Sequence, residues 1–576
     1  MRARWSLLAL ALFTSTACGS SKLRDAPAGP APVAPLPPSD VAALDALVDR
    51  AWAEAGVTPA PPVDDATYLR RVSLDLVGRI ASEDELRAFL ADASPDKRAR
   101  AVERLLASPE HDAHLARRWE HVLLGPEVRS PVVDRGALRR WLEARFRENA
   151  PWSVVVRELV AAEGRSSLGG QLGPALSADD PERAAAEQRE GIHGGANYTL
   201  RFARTPADLG GHVARTFLGV RIECARCHDH KTEPWKQDDY RAFSSALLRL
   251  DVDAEREGRG MLRVVELGPA SRPPRRMLRD EEVSAIVDTA PRTLDGTPLE
   301  PEGARAAMAA WITSTHNTTF RRAIVNRVWA ELFGEGLVHP VDDLRPTNPA
   351  VMPEVLDHLA ARFAASGDDL DALYQLLCAS RAYQVSIATG EGTPRDQRFA
   401  RASLRPLTAD QLVDSAFVAS GLDHTIAERA PARAEVLEAR LRRRMGFVHD
   451  VDAESNAEVP QGSLTQALSS MHGVLTTAAT AFVKEGALAR LVRGRSDAEA
   501  IEALWLRTLG RPPHADELAD ALAFVAEGST EGAGPRASPR PGLARLLRSG
   551  AIDTRERAYE DLFWALLASS ELHFRR

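Results

Sequence analysis

Apolar residues recur at helical spacing along most of the chain. In "DVAALDALVDRAWAEAG" the side chains of Leu44, Leu47, Val48 and Trp52 fall on one face, the 3.6-residue period of an amphipathic helix. In "DDATYLRRVSLDLVGRI" (64–80) Tyr68, Leu69, Val72, Leu76 and Val77 do the same. Ser82 with Glu85 three residues on has the form of a capping box. Ser94 followed by Pro95 predicts another helix across 94–110. The pattern continues through Trp119, Trp141 and Trp152, read as core and interface aromatics. It lapses over 164–190, which predicts a long exposed loop. Helices are predicted over 205–220 and 236–250, on either side of a short polar loop. Residues 251–300 read as irregular, apart from "MLRVVEL" as one strand of a small hairpin. Helical spacing resumes at 304–314 and 320–334, the latter closing on Gly334. It continues at 354–384, 408–422, 463–488, 496–509, 515–527 and 557–572, with a loop at 528–542. No fixed-period repeat is present. The pattern predicts a mainly α protein of two helical lobes, with long irregular loops and little β structure.

Composition changes that picture little. The chain has 576 residues, enough for several domains. It is 44% hydrophobic and 27% charged, with a formal net charge of −8. A spread negative charge argues against a nucleic-acid partner, which calls for a basic face. The basic run "RLRRRM" (440–445) has acidic neighbours and reads as a solvated helix face.

The N-terminus changes it more. Arg2 and Arg4 precede the apolar run "WSLLALALF", and "TSTAC" ends at Cys18. This order of basic, apolar and small residues reads as an export signal over 1–18. Cleavage before Cys18 makes a lipoprotein with Cys18 as the lipid carrier; Thr16 and Ala17 suit that reading, whereas Ser15 stands where such signals usually have Leu. Plain cleavage after "STA" is the alternative. Residues 19–40 are rich in Pro, Ala, Ser and Gly and read as an extended tether. The expected location is the cell envelope, anchored to the membrane through Cys18 and facing the periplasm or the cell surface.

The candidate chemistry lies in "IECARCHDHKTEPW" (222–235). Only four cysteines occur in the chain, and two of them, Cys224 and Cys227, precede His228 with the spacing of a c-type haem attachment motif. Two thiols form thioethers with the haem vinyl groups and the adjacent imidazole ligates iron. Haem c is therefore the first cofactor reading, with Met261, Met277, His193 and His212 as possible distal ligands. A second reading is a Cys224–Cys227 disulfide in an oxidising compartment, with no cofactor. A third is zinc or another transition metal held by Cys224, Cys227, His228 and His230. Asp229 is either a helix-end charge or an acceptor that orients a ligating His. Trp235 and Tyr240 read as core residues, or as aromatics lining a haem edge. In "DDLRPTNP" (342–349) the polar groups of Asp342, Asp343, Arg345 and Asn348 either form a binding loop for a hard cation or cap turns, with Arg345 paired to a carboxylate. Cys378 reads as a buried small hydrophobe. No Gly-rich phosphate loop, His-Glu-x-x-His or Gly-x-Ser-x-Gly motif is present, so no catalytic residue is assigned.

Several long segments resemble a known pair of domains. "YLRRVSLDLVGRI" and "FLGVRIECARCHDHKTEPWKQDDYRAFSSAL" resemble the planctomycete cytochrome C domain, of unknown function. "FRRAIVNRVWAELFGEGLVHPVDDLRPTNPAVMPEVLDHLAARF", "LLCASRAYQVS", "LTADQLVDS", "LTQALSSMHG", "LWLRTLGRPP" and "DLFWALLASSE" resemble its usual partner, the planctomycete-specific C-terminal domain, in the expected order. The family carries a Pro-aromatic pair after the second His, where this chain has Lys231 and Thr232. The resemblance implies a cytochrome C-like domain over 41–250, a connector over 251–303 and the C-terminal domain over 304–576. It supplies no activity. Together these readings predict an exported haem lipoprotein serving electron transfer or redox chemistry, with redox or surface-protein partners. The alternatives are a haem-free binding or structural lipoprotein and a non-haem metal protein.

Overall fold

The computed structural model describes residues 36–125, 130, 132–168, 181–254, 264–270, 272, 277–387, 392–429, 437–438, 441–442, 468–469, 471–482, 486–528 and 553–575. The expected export signal, Cys18, most of the tether, Met261 and nearly all of the 528–542 loop lie outside the described residues.

The protein is mainly α, as the apolar spacing predicts. The first helix, Pro38–Glu54, buries Leu44, Val48 and Trp52. Its first residues are the last of the expected tether, and Pro38 stands at the start, where its missing N–H costs nothing. Asp64 caps Asp65–Leu76 through the Thr67 N–H. Ser82 and Glu85 form the capping box that opens Glu83–Ala91. The helix expected over 94–110 divides in two. Ser94 turns back to Asp92, its N–H donating to Oδ1 at 2.9 Å, so the helix begins later, at Lys97, and ends at Leu106. Ser108 then caps Pro109–Leu124.

Other segments are more ordered than expected. Within 164–190 lie a short strand, Gly164–Arg165, and a helix, Pro181–Arg189. Residues 251–303, expected to be irregular apart from a hairpin strand in "MLRVVEL", hold most of strand Leu250–Ala254, strand Val265–Pro269, which overlaps that expected strand, and helix Glu281–Asp288. Val265–Pro269 is the centre of a three-stranded antiparallel sheet, between Gly164–Arg165 and Leu250–Ala254. The sheet ties the two irregular-looking stretches together, a long-range pairing that local periodicity cannot reveal.

Two apolar cores result. The first draws on residues from Leu44 to Ala400, with Leu506 added. The second draws on residues from Leu407 to Leu572, with Leu74 and Ile80 added. The step between cores therefore falls near residue 400, and helices Ala304–Ile312 and Thr318–Phe333 pack into the first core.

Helix Asp65–Leu76 serves both cores and is buried all round. Its apolar face was legible; its polar positions Arg70, Arg71 and Asp75 are buried as well, at 5%, 1% and 4% exposure. Burying charge is costly without partners, and each has them. Arg70 donates to the carbonyls of Leu572 at 2.9 Å and Glu571 at 3.1 Å. Arg71 donates to that of Val385 at 2.9 Å. Asp75 accepts from Arg575 Nε at 2.9 Å and from the Tyr383 hydroxyl at 2.7 Å. Arg575 lies in strand Phe574–Arg575, which pairs with Arg405–Pro406, so the end of the chain is stitched to this helix.

Candidate functional site

The cysteine loop is placed by an irregular helical segment. The residues predicted as one helix over 205–220 run as a 3₁₀ turn (Pro206–Asp208), an α turn (Leu209–Val213) and a π turn (Ala214–Leu218). π turns are rare and concentrate at functional sites. Gly219 ends the segment in the left-handed region, at φ 65°. Its carbonyl accepts from Leu344 N at 2.7 Å. A Cβ on Gly219 lies 2.6 Å from Leu344 Cδ1, so the backbone requires glycine and a larger residue displaces the Leu344 side chain.

Cys224 lies in a 3₁₀ turn, Glu223–Arg226, and Cys227 closes it. Buried Ile222 and Ala225 fix the turn to the core at 1% and 0% exposure. Cys224 and Cys227 are exposed, free thiols, while Cys378 is buried. Burial pushes the Cys378 thiol well above its ordinary range, in keeping with an inert small hydrophobe. Arg226 pairs with Glu282 at 2.7 Å and with Asp208. The Gln237 side-chain amide donates to the carbonyls of Arg226 and Cys227, both at 3.0 Å. These bonds pin the turn from the side and leave both sulfurs outward.

The two histidines differ in what their ring nitrogens do. His228 Nδ1 lies 2.8 Å from the Asp229 carbonyl oxygen. A carbonyl only accepts, so Nδ1 carries the proton and the Nε2 lone pair is free. His228 is exposed, and among the described residues its Nε2 has no partner. At His230, Nδ1 accepts from the N–H of Glu233 at 3.0 Å and of Thr232 at 3.2 Å. Its neutral ring therefore bears its proton on Nε2 and offers no lone pair outward. His230 is a turn-holding residue in this arrangement. Among the described residues no group of three or more His, Cys, Asp or Glu is placed to hold a metal ion, so Cys224, Cys227, His228 and His230 are not assembled into one metal-binding group. Asp229 acts on His228 through its backbone carbonyl; its carboxylate accepts from Gln237 N at 2.9 Å, at the start of helix Gln237–Leu247.

The loop 342–349 docks against the cysteine loop, which sequence reading did not reveal. Arg221 Nε donates to Asp342 Oδ1 at 3.0 Å. The Thr347 hydroxyl donates to Glu233 at 2.9 Å. Arg345 pairs with Asp343 at 3.2 Å and lies 3.6 Å from Glu233. Asn348 donates to the Asp343 carbonyl at 3.0 Å. The turn reading of this loop is the one realised, with Arg345 bridging to the cysteine loop. Glu223 is linked through Arg215 to Asp342, 3.6 Å at each step, and burial raises the pKa of its carboxyl. The sequence signal for these contacts is absent, because the partners lie more than one hundred positions apart.

The remaining aromatic and ligand candidates lie in the core or around it. The Tyr240 ring is buried and its hydroxyl donates to the Ala207 carbonyl at 2.5 Å. Trp235 packs partly buried against the first core. Among the possible distal ligands, His212 is buried, with Nδ1 bonded to the Tyr198 hydroxyl at 3.0 Å. Its surroundings hold its pKa well below the usual imidazole range, chiefly by burial. His193 packs against Trp141, ring centres 5.5 Å apart.

The donor set at the loop fits covalent haem attachment: two free exposed thiols, correctly spaced, beside an imidazole with an open Nε2. All three side chains face solvent, so a group held here is exposed.

Two protein-family models match parts of the chain. Residues 43–251 match the model of PSCyt2, described as a protein of unknown function (DUF1549). Residues 304–525 match that of PSD1, described as a protein of unknown function (DUF1553). No curated protein and no solved structure matches the chain. The name PSCyt2 is cytochrome-like, and the loop that carries the Cys-x-x-Cys-His spacing lies inside that match. The chain thus carries a PSCyt2 region followed by a PSD1 region, each of a family described as of unknown function.

Proposed function

We propose that this protein is an exported, lipid-anchored c-type haem protein that exchanges electrons with a partner at the cell envelope. Cys224 and Cys227 carry the thioether links, His228 Nε2 is the iron ligand, and Cys18 carries the lipid. The observation that supports this most is the His228 tautomer. A backbone carbonyl holds the Nδ1 proton, as ring-orienting acceptors do for metal-ligating histidines, and His228 follows directly in the chain on the second of two exposed free thiols. Each thiol adds across a vinyl group, its sulfur bonding one carbon and its hydrogen going to the other, so no oxidant is needed. When bound, the haem supplies one-electron redox chemistry. The residues of this chain orient the imidazole through Asp229 and hold the thiols outward through Gln237.

The test is expression of the chain with c-type maturation factors, followed by haem staining after denaturing electrophoresis. A stained band is expected, lost in Cys224→Ala. His228→Ala is expected to keep some covalent stain while changing the visible spectrum, because it removes a ligand and spares both thioethers. No stain in a folded protein contradicts the reading, and a Cys224–Cys227 disulfide then becomes the account of the motif. For the anchor, Cys18→Ser is expected to move the protein from the membrane fraction to the soluble fraction; unchanged membrane retention rejects the lipid assignment.

A further inference from the structure

A cleft of about 240 Å³ opens between helices Pro109–Leu124 and Thr318–Phe333. Arg118, Trp119 and Val122 line one side, and Arg327, Val328, Ala330 and Glu331 the other, with Val341 at the edge. It is smaller than the ~300–1,000 Å³ of pockets that take drug-sized ligands.

The charges in the cleft do not balance. Glu331 pairs with Arg118 at 3.0 Å and accepts from the Tyr374 hydroxyl at 2.8 Å. Asp342, the other carboxylate near Arg327, is engaged by Arg221 and Arg215. Arg327 lies one helical turn before Glu331, half-buried. Among the described residues it has no hydrogen bond and no ion pair. Burial pushes its pKa down, the ordinary consequence of a desolvated cation. A guanidinium in this state presents a planar fork of N–H donors that matches a carboxylate. The other walls, Trp119, Val122, Val328, Ala330 and Val341, are apolar. Glu331 sets the sign and size of the charge that fits: it disfavours a dianion and leaves room for a single negative charge.

We propose that this cleft binds a small organic monocarboxylate, its carboxylate on Arg327 and its short apolar body against Trp119, Val122, Val328, Ala330 and Val341. The site is independent of the haem reading and needs no group at Cys224.

Calorimetric titration of the full mature chain tests it, with isovalerate and benzoate as probes. Isovaleramide serves as the uncharged control of the same shape, and inorganic phosphate and chloride as simple anions. At least one of the two acids is expected to bind one-to-one, with isovaleramide and both inorganic anions at least tenfold weaker. Arg327→Gln is expected to weaken the acid at least tenfold. Ala330→Leu, which fills the cleft and keeps the arginine, is expected to weaken it as well. No binding by either acid, equal binding of isovaleramide or phosphate, or unchanged binding in Ala330→Leu each overturns the proposal. Should Arg327→Gln not fold, the acid-against-amide comparison and Ala330→Leu decide the matter alone.

Discussion

Asp112 lies in the interior at 3% exposure, and its Oδ2 has no hydrogen-bond partner. Burial raises its pKa to about 6, with His111 and Arg147 opposing and Asp371 and Glu143 adding to the rise. The folded-state value lies above the unfolded one, so the folded state binds more protons between the two. Its contribution to stability is therefore present at acid pH, falls as pH rises from about 4 to about 6, and levels off above. His111, bonded to Asp371 at 3.2 Å, also has a raised pKa despite opposing burial, through its partners Asp371 and the Leu76 carbonyl. Its contribution is full below the unfolded value and is lost as pH rises through the folded one, so both groups favour mild acid. Asp112→Asn is expected to stabilise the protein at pH 7 by about 1–2 kcal/mol and to flatten the pH dependence between 4 and 6. Urea unfolding across that range checks it; a variant less stable at pH 7 than the parent contradicts it. None of this was legible in "SPEHDAHLARRW", because the carboxylates that face Asp112 come from distant helices. The Cys-x-x-Cys-His spacing was legible because its chemistry is local, and the His230 role was not, because it depends on a turn.

At the scale of elements, Gly219 is where the π turn, the cysteine loop and the 342–349 loop meet. Gly219→Ala forces a residue with a Cβ into φ 65° and into contact with Leu344. The expected cost is about 1–3 kcal/mol, seen as a lowered melting temperature, together with faster hydrogen exchange in 219–235. An unchanged melting temperature removes the argument that this junction is strained by a side chain. Helix caps were the readable part of this scale: Ser82 with Glu85 acts as its spacing predicts. Ser94 does not, because Asp92, two residues earlier, takes its hydroxyl and its N–H. Of the sheet that joins 164–165, 250–254 and 265–269, the strand in "MLRVVEL" was legible and the pairing with 164–165 was not. The sheet's strands are short, and the pairing of Gly164–Arg165 with Val265–Pro269 crosses a long stretch of chain.

For the whole molecule, the two family matches end and begin on either side of 252–303, yet the cores divide near residue 400. The PSCyt2 region packs into one core with the first helices of the PSD1 region, and loop 342–349 holds the cysteine loop. A fragment of residues 36–303 lacks helices Ala304–Ile312 and Thr318–Phe333, with Trp311 that packs on Phe243, and so leaves part of the first core exposed as apolar surface. It is expected to lack a cooperative thermal transition and to aggregate, as followed by circular dichroism and size-exclusion chromatography; a monodisperse, cooperatively melting fragment contradicts the shared-core account. The mainly α class was legible from periodicity, whereas the division of the cores was not, because helix Asp65–Leu76 contributes to both from within the first hundred residues.

The central claim is that Cys224 and Cys227 are joined to haem through His228's loop. Its most direct measurement is the intact mass of the mature chain, purified with and without haem-maturation factors, paired with thiol titration under denaturing conditions. The account predicts one added haem per chain with maturation, and two fewer titratable thiols than in the protein made without it. An unchanged mass in a folded protein, with the same thiols titrating or Cys224 and Cys227 joined to each other, contradicts it.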